Sequence, residues 1–184
     1  MTEATTSRRR QVWTLARKEI RRSLFSRRSL PVYLLVGMPL ALMVLRALFM
    51  PSSMRADAIH ATNEFAEVFH FFLLRFVVFF ANALIFVRLF RGEILEKSLH
   101  YTLLSPVPRE RLVRGKYLGG VLAACLILIP TTALTYLLVY LPHGSAGIRM
   151  LLSGAGISHL ASYELIVVLA SISYGALFML AGLY

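Results

Sequence analysis

The run Tyr117–Leu141 reads YLGGVLAACLILIPTTALTYLLVYL and carries no charged side chain. A helix rises about 1.5 Å per residue, so this run is long enough to cross the roughly 30 Å hydrocarbon core of a bilayer. Three further runs share its length and character. They are 30–50, with Arg46 near its end; 68–90, with Arg75 in its first half; and 160–184, with Glu164 close to its start. A chain of 184 residues has nothing left to cover four such helices in water. Its 58% hydrophobic content also exceeds the roughly 45–50% of soluble domains. The expected fold is all-α: a polytopic transmembrane helix bundle of four spans, about 30–50, 68–90, 117–141 and 160–184, in one domain over 30–184.

The charge pattern sets the direction of each crossing. The net charge is +11, yet the basic residues stand in blocks between apolar runs, which argues for membrane orientation and against nucleic acid. Nine Lys and Arg precede the first span, from Arg8 to Arg28, and seven flank or fill the connection between spans two and three. The other two connections hold one each, Arg55 and Arg149. Because basic loops stay cytoplasmic, the N-terminus and the second connection are placed inside. Pro51–Glu67 and Pro142–His159 then face outward, in a multi-pass protein of the plasma (inner) membrane. The basic leader is too long, and the first apolar run too extended, for a cleaved signal peptide. The first helix is therefore expected to be retained.

Within the N-terminal segment 1–29, Val12, Ala16, Ile20 and Leu24 recur every four residues among Arg and Lys, with Trp13 and Leu15 beside them. This is the pattern of an amphipathic helix lying in the headgroup region against anionic membrane lipids. It is expected to stop near Ser29, because Pro31 suits only a helix start. Pro39 and Pro130 are expected to kink spans one and three. Gly115/Gly119 and Ser171/Gly175 have the spacing of close helix packing. Cys125, the single cysteine, reads as a small apolar residue inside a span.

The second connection, 91–116, is the most informative. It reads RGEILEKSLHYTLLSPVPRERLVRGK. Ile94, Leu95, Leu99, Leu103 and Leu104 make a helical apolar stripe. Pro106 and Pro108 break it, and Arg109–Lys116 opens a new helix leading into span three. The outcome is a cytoplasmic helical hairpin presenting both charge and apolar surface, a candidate docking surface for a partner. A membrane scaffold or assembly protein that recruits a cytoplasmic partner fits this pattern, and so does a transport subunit.

No catalytic constellation emerges. A phosphate-binding loop needs G-x-x-x-x-G-K followed by Ser or Thr, but Tyr117 follows Gly115-Lys116 and Glu110 occupies the first glycine position. Glu93, Glu96 and His100 lack the spacing of a metal site. No cofactor, metal or enzymatic activity is therefore expected of this chain. Arg75 and Glu164 are ionisable groups at membrane depth, suited to snorkelling, to mutual pairing or to lining a substrate path.

Glu96-Lys97-Ser98-Leu99, Leu103-Leu104-Ser105-Pro106-Val107-Pro108-Arg109 and Gly115-Lys116 together resemble the permease subunits of ABC-2 type transporters. Ser98 departs from that family's usual Thr. The resemblance implies a dimeric permease, homo- or heterodimeric, active in efflux or another transport role. It also implies a separate ATP-binding cassette subunit that carries the ATP and Mg. In that scheme Glu93, Glu96, Leu99, Leu103, Leu104 and Pro106 belong to a coupling helix and its corner, which dock on the ATPase. Arg109 and Lys116 help anchor that corner. The family has six spans, so with four apolar runs the chain is expected to lack the last two.

Overall fold

The computed structural model describes residues 13–14, 16–17, 20–21, 29–49, 58–95 and 109–182; for 58–60, 90–95, 109 and 111 it describes the backbone only. These residues are helical almost throughout, with no strand among them. In chain order the elements begin with α1 (Leu30–Phe49) and α2 (Ala58–Glu67). A π-helical stretch (Val68–Val78) follows and continues into α3 (Phe79–Leu95). Next come α4 (Arg109–Tyr140), a single 3₁₀ turn (Leu141–His143), α5 (Gly144–Leu151) and α6 (Gly154–Ala181). Among the described residues, four helical stretches are long and apolar enough to cross a membrane: Leu30–Phe49, Ala61–Leu89, Leu112–Leu151 and Gly154–Ala181.

The helices run past the apolar stretches that define them. Polar first turns, such as Arg109–Lys116 ahead of span three, join the helix once an apolar run has nucleated it. The connections expected to face outward likewise carry helix, α2 in one and α5 in the other. Pro31 lies in the first turn of α1, where its missing N–H costs nothing. Pro39 and Pro130 are both accommodated inside helices. Around Pro130, the Thr131 and Thr132 hydroxyls donate to the Ile127 and Leu128 carbonyls at 2.7 and 3.0 Å, supplying local donors beside the lost backbone bond.

The π-helical stretch has a reason in the sequence. Ala61, Phe65, Phe69, Leu73 and Val77 are all fully buried and recur every four residues, and Ala81, Ile85 and Leu89 continue the series. Four α-helical residues advance about 400°, so such a stripe drifts about 40° past a full turn at each step. A π turn closes from i to i+5 and advances less per residue, which cancels part of that drift.

The chain divides into two compact units. The first comprises Met1–Val32, Ala81–Cys125 and Ser171–Tyr184, and the second Tyr33–Phe80 and Leu126–Ala170. Of the N-terminal amphipathic segment, the described residues are helical. Ala16 is buried there, and Trp13, Arg17 and Arg21 are exposed. Val12, Leu15 and Leu24 lie outside the described residues.

Candidate functional site

The first unit holds both ends of the 91–116 connection. Lys116, in the second turn of α4, is 4% exposed, and its ammonium donates to the Leu89 carbonyl of α3 at 3.1 Å. A buried ammonium is tolerated only with acceptors around it, so this bond ties the two helices. One residue on, the Tyr117 hydroxyl donates to the Ile172 carbonyl of α6 at 2.9 Å. The Phe86 ring, fully buried, lies against Gly120 on α4 and Gly175 on α6. A Cβ at Gly120 would stand 2.7 Å from that ring, and one at Gly175 would stand 2.5 Å from it. Glycine at both positions is therefore what lets an aromatic ring sit between two helices. Asn82 and Ser171 add a buried amide–hydroxyl contact at 3.5 Å between α3 and α6.

The second unit is built differently. Phe65, Phe69, Tyr136 and Tyr163 form an aromatic cluster, with Phe65–Tyr136 and Phe65–Tyr163 edge to face at 4.7 and 5.0 Å. Hydroxyls run along its edge: Thr62 and Tyr140 are 2.9 Å apart, Tyr136 donates to the Gly156 carbonyl at 3.1 Å, and its oxygen lies 3.5 Å from the Tyr140 hydroxyl. Arg46 and Glu64 form a two-pronged ion pair between α1 and α2. Arg46 therefore has a partner within the chain, a feature hydropathy alone did not reveal.

The residues singled out in the sequence fall into three groups. Glu96, Leu99, Leu103, Leu104 and Pro106 lie outside the described residues, as does His100. Glu93 falls in the last turn of α3 and Arg109 opens α4, with backbone alone described at both. Lys116 faces the Leu89 carbonyl inside its own unit. Arg75 lies in the π-helical stretch, exposed, with its guanidinium 5.2 Å from the Phe71 ring centroid. Both Glu164 oxygens are buried with no hydrogen-bond partner, so Arg75 and Glu164 do not pair with each other. Among the described residues no cluster of His, Cys, Asp or Glu has metal-binding geometry.

Within the first unit, α3 and α4 bracket the basic 91–116 connection. The model of the CcmB protein family matches residues 13–175. The chain belongs to the CcmB protein family. CcmB proteins are ABC-type permeases of haem exporters; they are transport subunits without an ATPase of their own and work with a separate ATP-binding subunit. The match supports the broad class, an ABC-type permease, and stops short of the narrower ABC-2 type. No curated protein and no solved structure matches the chain.

Sequence reading missed several residues that organise these units. Phe86, Asn82 and Tyr117 read as span filler, and Gly120 stood beside the expected Gly115/Gly119 pair without being singled out. Ser171 and Gly175 were legible from their spacing, and both are used in close packing. The π-helical stretch had a visible signal in the four-residue recurrence of large apolar side chains from Phe65 onward.

Proposed function

We propose that this CcmB-family chain is the permease subunit of an ABC-type exporter and couples to its ATP-binding subunit through the 91–116 connection. The observation that carries the reading is the extent of the family match, which takes in that connection whole together with the first three spans and most of the fourth. In this reading the N-terminus and 91–116 are cytoplasmic, in the plasma (inner) membrane, as the distribution of Lys and Arg requires. The Leu99/Leu103/Leu104 stripe presses into a groove on the ATP-binding subunit, and Glu93, Glu96 and Arg109 fix its register. Closure of that subunit on ATP then moves the attached helices, since a rigid element held in a moving groove must follow it. The permease works as a dimer, and the corner sequence around Pro106 is of the ABC-2 type.

The test is co-purification from membranes. The wild-type chain is expected to bring down an ATP-binding subunit and stimulate its ATPase. Leu99→Asp with Leu103→Asp is expected to abolish both while membrane insertion persists. A wild-type chain that never associates with such a subunit rejects the reading.

A further inference from the structure

We infer that Lys116 is a positioning residue: it clamps the base of the 91–116 connection, and Phe86 carries displacement of that base into α6. The inference rests on the reading of 91–116 as the docking segment, and concerns what happens to force once it arrives there.

Two nearby cations show why Lys116 is not simply an orientation signal. Arg114 leaves 75% of its side chain exposed and, among the described residues, makes a long contact with Glu110 one turn back on its own helix. That is how a topology-setting charge behaves, in reach of water and headgroups. Lys116, two residues on, is instead 4% exposed and spends its ammonium on another helix. A lysine that could snorkel gives up its solvation only when a fixed acceptor replaces it. The acceptor is the Leu89 carbonyl, just ahead of the connection's first residue, Arg91, while Lys116 is the connection's last. The Lys116–Leu89 hydrogen bond therefore joins the two ends of the connection, and a shift of one end along the other would break it.

The rest of the unit extends the clamp to a third helix. One residue after Lys116, Tyr117 bonds the α6 backbone at Ile172. Phe86 packs against both Gly120 and Gly175, so closely that a Cβ on either glycine would overlap its ring. At the turn after α6, a Cβ on Gly182 would stand 3.3 Å from the backbone of Val87. Membrane helices associate through close packing and hydrogen bonds rather than through water exclusion, and both are concentrated here. A tightly packed unit of this kind transmits displacement instead of absorbing it.

Spin labels on Val113→Cys and Leu177→Cys, in a Cys125→Ala background, test the clamp. Both positions are exposed on the first unit, one on α4 and one on α6. In the chain alone in lipid nanodiscs, the pair should give one narrow distance distribution, and Lys116→Met and Phe86→Ala should each broaden it. In the complex with the ATP-binding subunit, Lys116→Met should keep that subunit bound while the stimulated ATPase rate falls about tenfold, the scale of one lost charge-assisted bond. Leu99→Asp with Leu103→Asp should do the reverse, losing the subunit and keeping the narrow distribution. Distances unaffected by both Lys116→Met and Phe86→Ala overturn the clamp whether or not a subunit binds, and full stimulation in a Lys116→Met complex overturns it too. Failure of the wild-type chain to bind any ATP-binding subunit removes the docking reading and the clamp's coupling role together, and the label distances alone then decide whether the clamp exists.

Discussion

The two units of this chain solve the problem of holding helices together in lipid by opposite means. The first uses close approach and side-chain-to-backbone bonds: Phe86 between two glycines, Lys116 on Leu89, Tyr117 on Ile172. The second uses large aromatic surfaces, a run of hydroxyls and one ion pair. It also keeps polar groups in reserve. The Glu164 carboxylate and the His143 ring are buried there without hydrogen-bond partners, as is one Arg46 nitrogen. In a low-dielectric setting an unpartnered polar group is costly. The difference lies in how the helices are joined: side-chain-to-backbone bonds and glycine contacts in the first unit, aromatic surfaces and an ion pair in the second.

The comparison can be broken most forcefully at the glycines. Gly175→Val should destabilise the first unit by about 1–3 kcal/mol, because the added side chain would overlap the Phe86 ring, which also packs against Gly120. Thermal unfolding in detergent reads this directly, and an unchanged midpoint would show the packing to be loose. In the second unit, Glu64→Leu should cost about 1–3 kcal/mol by stranding the Arg46 guanidinium. Adding Arg46→Leu should recover most of that loss, a non-additivity that a double-mutant cycle on unfolding midpoints measures. Tyr136→Phe should cost about 1 kcal/mol, the value of its hydroxyl bond to the Gly156 carbonyl. Smallest of all should be Glu164→Gln, with a midpoint unchanged or slightly raised, since its carboxylate has no bond to lose. A large destabilisation by Glu164→Gln would mean the carboxylate does have a structural partner, and would erase the contrast between the units.

How much of this was legible in the sequence depends on the physical origin of each feature. The four spans follow from local composition: a charge-free run such as Tyr117–Leu141 has one stable placement, whatever its neighbours do. Helix starts were less legible. Ala58–Glu67 is polar enough to read as a loop, yet it is helix, because propagation from the apolar residues after it is easier than nucleation. The Arg46–Glu64 pair and the Phe86 wedge depend on which helices become neighbours, and hydropathy carries no such information. Lys116 shows the same limit at the candidate site. Its position in the motif was legible, but only the fold reveals that its ammonium faces Leu89. The apolar stripe expected in the 91–116 connection is a matter of local periodicity, and its side chains lie outside the described residues.

The central claim is that 91–116 is where the ATP-binding subunit sits. A photo-crosslinking residue in place of Leu103, in the full chain expressed with its partner, tests it most directly. The same probe in place of the exposed Leu152, between α5 and α6, serves as the comparison. The account predicts a crosslink to the ATP-binding subunit from position 103 and none from position 152. A crosslink from position 152 with none from position 103 would contradict it, overturning both the docking site and the direction in which the chain crosses the membrane.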